Sequence, residues 1–234
     1  MLEFDQLDSA KCFVGGLPQE PKPPWLYKSV FSPIDVIEEY TRPARFIKDG
    51  KLMVMPAMSE IEQIQCKPIG ILEAFNSDGL RSLLTMPIPN MIEKTLRFPG
   101  HIQKVIDMRN NGLFSSEKIE ETSNSLIEDW ASEKSDFDQT IMRLEFVGSN
   151  NDQNVTKTYN LIDYYDRENN VSSMARTTGY TSTAATNIIL SNEFNKKGVF
   201  GMESLGDRSI LVKRVMGHLA DRNIDITENI NITI

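Results

Sequence analysis

Residues 138–165, DQTIMRLEFVGSNNDQNVTKTYNLIDYY, read as two long strands folded back on each other. In Asp138 to Val147, Met142, Leu144 and Phe146 alternate with Arg143 and Glu145, the two-residue period of a strand with one buried face. Val155 to Tyr165 forms the second strand, and the polar run Gly148 to Asn154 joins them. Arg42 to Met55 has the same character: Ala44, Phe46 and Ile47 face Leu52 to Met55 across the turn Lys48-Asp49-Gly50. Single strands are expected at Lys11 to Val14, Ile69 to Phe75 and Asn90 to Phe98, the last stopping at Pro99-Gly100.

Helical signals lie between these strands. Ser32 and Pro33 open a short helix, Ile34 to Tyr40, as a cap residue followed by proline should. His101 to Asn111 carries Ile102, Val105 and Ile106 on one face and ends at Gly112. Ser115 or Ser116 caps a helix with the stripe Ile119, Leu126, Ile127 and Trp130. Further helices are expected over Tyr180 to Leu190 and Asp207 to Asp221, and Leu2 to Leu7 reads as the tail of another. Hairpin-joined strands with helices interspersed, and no regular βαβ rhythm, predict an α+β fold: a largely antiparallel or mixed sheet with helices packed on one face. No internal repeat and no long linker divides the chain, so residues 1–234 are expected to form one domain. Residues 1–13 would be the remnant of a truncated helix and strand, and residues 207–234 a C-terminal helix and tail.

Composition excludes several functions. The net charge is −8 and none of the 25 basic residues forms a run, so a nucleic-acid partner is not expected. No run of about 18 apolar residues suits a membrane span, and the acidic N-terminus has no apolar signal-peptide core. The two cysteines, Cys12 and Cys66, lack metal-type spacing and are expected as free thiols in a reducing cytoplasm. There is no G-x-G-x-x-G, no phosphate-binding loop and no nucleophile elbow. With only two histidines, a histidine-rich metal site is excluded.

Polar groups gather at strand ends. Gly15-Gly16 lets backbone approach a ligand closely, unless it is an ordinary strand-to-loop turn. Asp78, in Asn76-Ser77-Asp78-Gly79, can hold an ammonium, though Asp-Gly alone also makes a turn. Arg97 alternates with Leu96 and Phe98 on a buried strand and needs either an anionic ligand or an internal ion pair, with Asp78 or Glu73 in reach. His101 stands at a helix start, where a neutral imidazole can exchange a proton or simply begin the helix. Thr177-Thr178-Gly179-Tyr180-Thr181 can bind an anion or form a plain cap. His218, inside a helix, reads as structural.

Four runs together resemble one family: VGGLPQEPKPPWLYKSVFSPIDVIEEYTRPARFIKDGK (14–51), ILEAFNSDGLRSLL (71–84), EKTLRFPGHIQKVIDMRNNGLF (93–114) and ARTTGYTSTAATNIIL (175–190). They are similar to the non-Rossmann domain of saccharopine dehydrogenase-like proteins, closest in style to the lysine 6-dehydrogenase-like branch. The resemblance implies NAD or NADP chemistry that interconverts an amine and an imine. It also implies a substrate cleft between this domain and a Rossmann domain on the same or a partner chain, and a cytoplasmic homodimer. It places Gly15, Gly16, Tyr27, Lys28, Asp78, Gly79 and Arg97 along the substrate cleft, Asp78 on the amine and Arg97 on a carboxylate, with Lys28 or His101 handling protons, and Thr178 of the hydroxyl cluster is a further substrate-binding candidate. The nucleotide fingerprint is missing from this sequence. Two other functions remain: a dimerising or amino-acid-binding module without catalysis, and a polyamine synthase of the homospermidine or carboxynorspermidine type.

Overall fold

The computed structural model describes residues 4–133 and 135–233. Its frame is a sheet of nine strands. β1 (Gln6–Pro18) lies in the middle. It runs parallel to β6 (Asn90–Arg97) on one side and antiparallel to β7 (Asp138–Asn150) on the other. Beyond β7 follow β8 (Gln153–Tyr164) and β9 (Ile226–Thr233), both antiparallel.

The sheet forks at the far side of β6. Met91 meets Ile47 of β2 (Ala44–Lys48), which continues to β3 (Lys51–Met55). Lys94 to Arg97 pair instead with β5 (Gly70–Asn76), which continues to β4 (Glu62–Cys66). One parallel pair among antiparallel ones makes the sheet mixed, and the α+β expectation holds.

Five helices complete the fold: α1 (Pro33–Thr41), α2 (His101–Asn110), α3 (Ile119–Asp129), α4 (Ser173–Leu190) and α5 (Ser209–Ala220). Val36, Ile37 and Tyr40 form the buried stripe of α1, at the spacing an amphipathic helix requires. They join Ile102 and Val105 of α2, Leu126 of α3, and Leu17, Leu72, Phe75 and Leu96 of the sheet in the main core, closed by Trp130. α4 and α5 build smaller clusters, Ile188 with Leu205 and Leu211, and Leu219 with Leu161 and Ile224.

Several expectations about single elements need correction. Of the helix expected at Leu2 to Leu7, Leu2 and Glu3 lie outside the described residues, while Gln6 and Leu7 already belong to β1. Ladder bonds to β7 and then to β6 hold this segment extended. The polar run 148–154 is a tight turn at Asn151-Asp152, both at positive φ, 49° and 60°, the geometry of a two-residue hairpin. α3 starts at Ile119, and Ser115 serves in the preceding turn.

α4 starts at Ser173, seven positions ahead of Tyr180. Ser172 caps it, and both carboxylate oxygens of Asp138 accept from the Ser173 and Met174 amides at 2.8 and 2.9 Å. Thr177, Thr178 and Gly179 therefore lie inside the helix, and its amino end is already neutralised by a side chain of β7. Residues 226–233 of the expected tail form β9.

Candidate functional site

Alternation along β6 puts Glu93, Thr95 and Arg97 on one face of the sheet. The turn after β5 brings Ser77, Asp78 and Gly79 beside them, and α1 packs near that face. Between them lies a cleft of about 220 Å³. Asp35, Glu38, Glu39 and Arg42 line its α1 side, with Phe31 ahead of the helix. Ser77, Asp78, Gly79, Arg81, Glu93 and Thr95 line the sheet side.

Glu93 is only 6% exposed. Its Oε2 accepts from the Ser77 hydroxyl at 2.6 Å and the Gly79 amide at 3.1 Å. Because Ser77 has one proton and gives it to the carboxylate, the 2.7 Å contact between Ser77 and Thr95 has Thr95 as donor. A Cβ at Gly79 would lie 2.5 Å from Glu93 Cδ, so glycine is what leaves room for the carboxylate. Burial pushes the Glu93 carboxyl up to about 7, against the pull of the Ser77 hydrogen bond.

Asp78 is committed elsewhere. Arg45 of β2 donates to it through Nε at 2.8 Å and Nη2 at 2.9 Å, and Arg81 stands 3.6 Å away. Burial works to raise its carboxyl, but the Arg45 hydrogen bonds and charge prevail and hold it below the usual range.

Of the two alternatives for Arg97, an internal ion pair is the one that forms, but with neither Asp78 nor Glu73, which accepts from the Gly100 amide. Arg97, 2% exposed, donates to Glu39 Oε2 at 2.7 Å, to the Tyr40 hydroxyl at 2.7 Å and to the Leu96 carbonyl at 2.8 Å. Its guanidinium lies 4.5 Å from the Tyr27 ring centroid, a cation–π contact. Arg97 thus sits beneath the cleft and touches it through Glu39.

The network also fixes the state of His101. Its Nδ1 lies 2.8 Å from the Trp25 carbonyl, which can only accept, so Nδ1 carries the proton. Nε2 then accepts from the Tyr40 hydroxyl at 2.9 Å, whose oxygen accepts from Arg97. Burial first, and the Arg97 charge next, lower the imidazole to about 3. This neutral histidine has no exposed surface, and both its ring nitrogens are engaged within the chain.

The remaining candidates lie apart. Lys28 donates to the Ala131 carbonyl at 2.7 Å and stands 4.0 Å from Asp136. Thr178, on exposed α4 surface, donates back to the Met174 carbonyl. At Gly15 a Cβ would lie 2.8 Å from Leu96 Cβ, and at Gly16 2.5 Å from Val30 Cγ2. Both glycines make room for protein, and the chain runs on as strand into Leu17-Pro18. A dinucleotide pyrophosphate needs glycines that open onto a helix amino end, so these residues do not fit one. Among the described residues there is no cluster of three or more metal-type ligands, and no helix is long and apolar enough to cross a membrane. Cys12 and Cys66 are free thiols.

Of the residues singled out in the sequence, the fold brings Asp78 and Gly79 to the cleft, with Arg97 and Tyr27 below it. Glu93, Glu39 and Arg42 are not among the residues that the sequence singles out, and Ser77 and Thr95 enter there only as neighbours of Asp78 and Arg97. The alternation that marks Arg97 carries the same signal for Thr95 and Glu93, two and four residues earlier on the same face.

Comparison with known proteins bears on this geometry. Residues 2–224 match the family model described as Saccharopine dehydrogenase C-terminal domain. The fold is similar to that of the apo histidine-tagged saccharopine dehydrogenase (L-Glu forming) from Saccharomyces cerevisiae, with a TM-score of 0.74 and 19% identity. That match covers 97% of this chain and 67% of the yeast chain.

Proposed function

This chain belongs to the saccharopine dehydrogenase C-terminal domain family, and we propose that it is the substrate-binding domain of an NAD(P)-dependent oxidoreductase acting on the CH–NH group of an amino acid such as saccharopine or lysine. The observation that carries this reading is the mixed charge of the cleft. An amino acid brings an ammonium and a carboxylate, and the cleft offers partners for both. Glu93, Glu39 and Asp35 supply negative charge, while Arg42 and Arg81 supply positive charge. Arg42 is half-buried and Arg81 exposed, and among the described residues they pair with Glu38 and Asp78, so each can turn to an incoming carboxylate at small cost.

In this reading the chain binds and orients the amine, and the nicotinamide is held by a Rossmann domain on the same or a separate chain. The whole works as a cytoplasmic homodimer, for which the two free thiols suit a reducing compartment. Residues 1–234 act as one substrate-binding and dimerisation domain.

A second reading, a module that binds an amino acid or dimerises without catalysis, draws support from Asp78 and Arg97. Both are satisfied within the chain, by Arg45 and by Glu39 with Tyr40. The test is calorimetric binding of lysine, saccharopine and polyamines to this chain, followed by dehydrogenase and reductase assays with NAD(P). The assays are run with and without a Rossmann-domain protein of the same family. Binding by the chain alone with turnover only in the mixture is expected. Binding without turnover in either assay would favour the non-catalytic module, and no binding of any amine would overturn both.

A further inference from the structure

Five carboxylates line the cleft, and of these Glu39, Asp78 and Glu93 are not equivalent. Asp78 has both oxygens gripped by Arg45. Glu39 gives Oε2 to the buried Arg97. Glu93 differs, because its two donors, Ser77 and Gly79, are both neutral and meet on Oε2, so that among the described residues no arginine or lysine grips this carboxylate. Its Oε1 has no hydrogen-bond partner among the described residues. The orientation is built in: the hydroxyl and the amide hold one oxygen, and the missing Cβ of Gly79 makes the space.

We infer that Glu93 is the residue that meets the substrate nitrogen, and that the cleft selects a primary or secondary ammonium, which gives a proton to Glu93 Oε1. This rests on the cleft being the amine site proposed above. In the step, one N–H bond breaks and one O–H bond forms on the carboxylate. The cation and the anion both become neutral, and the lone pair left on nitrogen is the one that a C=N bond requires. No other reactant is consumed.

The surroundings favour this exchange. A low-dielectric site disfavours a separated ion pair and lowers the acidity constant gap between a buried ammonium and a buried carboxylate. Glu93 titrates near 7, raised by burial and by neighbouring Glu39, the range in which a proton acceptor works best at neutral pH. The other groups facing it are accounted for. Cys12 of β1 is pushed up to about 12 by burial and by Glu93 itself, so its thiol stays neutral. Arg97, along β6, is neutralised by Glu39. Arg81 and Asp78 pair with each other at the rim, Glu38 and Arg42 pair on α1, and Asp35 adds negative charge that favours a cation.

The experiment is calorimetric titration of the full chain with L-lysine and with saccharopine from pH 6 to 8, in buffers of different ionisation enthalpy. Affinity for the ammonium is expected to rise as pH passes through about 7. Glu93→Gln keeps acceptors for Ser77 and Gly79, and is expected to weaken binding at least tenfold and abolish its pH dependence. Gly79→Ala, which displaces the carboxylate without removing it, should do the same if Glu93→Gln does not fold. Glu120→Gln, on the surface of α3, should change neither. Wild-type affinity and pH dependence in the Glu93 and Gly79 variants would overturn the inference and leave the cleft reading standing. Failure of the wild-type chain to bind either amine would remove both.

Discussion

Glu93 and His101 are both held toward their neutral forms by burial, and the consequences for stability run in opposite directions. The Glu93 carboxyl rises from 4.5 to about 7. Between those values the folded chain keeps a proton that the unfolded chain has released, so stability falls as pH rises through the window. His101 falls from 6.5 to about 3. Its contribution is complete above 6.5 and is lost as pH drops toward 3. Glu93→Gln removes the first effect alone. Its melting temperature relative to wild type is expected to climb between pH 4.5 and 7 and then level off, an advantage of roughly 3 kcal/mol at most. A melting difference independent of pH would show that Glu93 is not the group concerned. His101, in turn, should show no imidazole titration by NMR between about pH 5 and 8. At this scale the sequence is half legible. Alternation with Leu96 and Phe98 marks Arg97 as a buried charge in need of a partner. It cannot name Glu39, which is 58 residues away and is delivered by the packing of α1.

Elements held by local bonds are the ones that pattern reading finds. The β2–β3 and β7–β8 hairpins need only alternation and a turn, and both form, the second with strands that run on through the expected loop to a turn at Asn151-Asp152. β1 is harder, because its partners are β6 and β7, far along the chain, and its first residues look helical in isolation. α4 begins earlier than expected because Thr177, Thr178 and Gly179, which follow its first turn, have weak helix propensity and read as a break. What anchors that turn is Asp138, 35 residues upstream. β9 escaped because it is an exposed edge strand with only part of an apolar face, Ile230 and Ile232 at 41% and 50% exposure. The parallel β1–β6 pair is closely packed at Gly15. Gly15→Ala would press a methyl to 2.8 Å from Leu96 Cβ and 3.0 Å from the Leu96 carbonyl. Both neighbours belong to a central strand with little freedom to move, so a loss of about 1–3 kcal/mol is expected in denaturant titration. A loss no greater than that from Gly217→Ala, where a Cβ meets nothing within 4 Å, would mean that the two strands separate readily.

At the scale of the whole molecule, the acidic chain gathers its cleft carboxylates at one end of the β5–β6 pair and keeps Arg97, Tyr27, Tyr40 and His101 as the packed floor beneath. The space beside the glycine pair expected to approach a ligand is filled by Leu96, Val30 and Met174. The division of labour in the proposed function therefore has a direct consequence for this chain alone: an amine ligand stabilises it and a dinucleotide does not. A ligand at a hundred times its dissociation constant adds about 2.7 kcal/mol to the folded state. For a domain of this size that raises the melting temperature by roughly 5–10 °C. Lysine or saccharopine at saturation is expected to produce such a rise, and to lose it in Glu93→Gln, whereas NAD(H) and NADP(H) at millimolar levels should leave the melting temperature unchanged. A shift with the dinucleotide and none with the amine would reverse the assignment. The cleft between α1 and the β5–β6 pair would then have to be reconsidered as part of a nucleotide site.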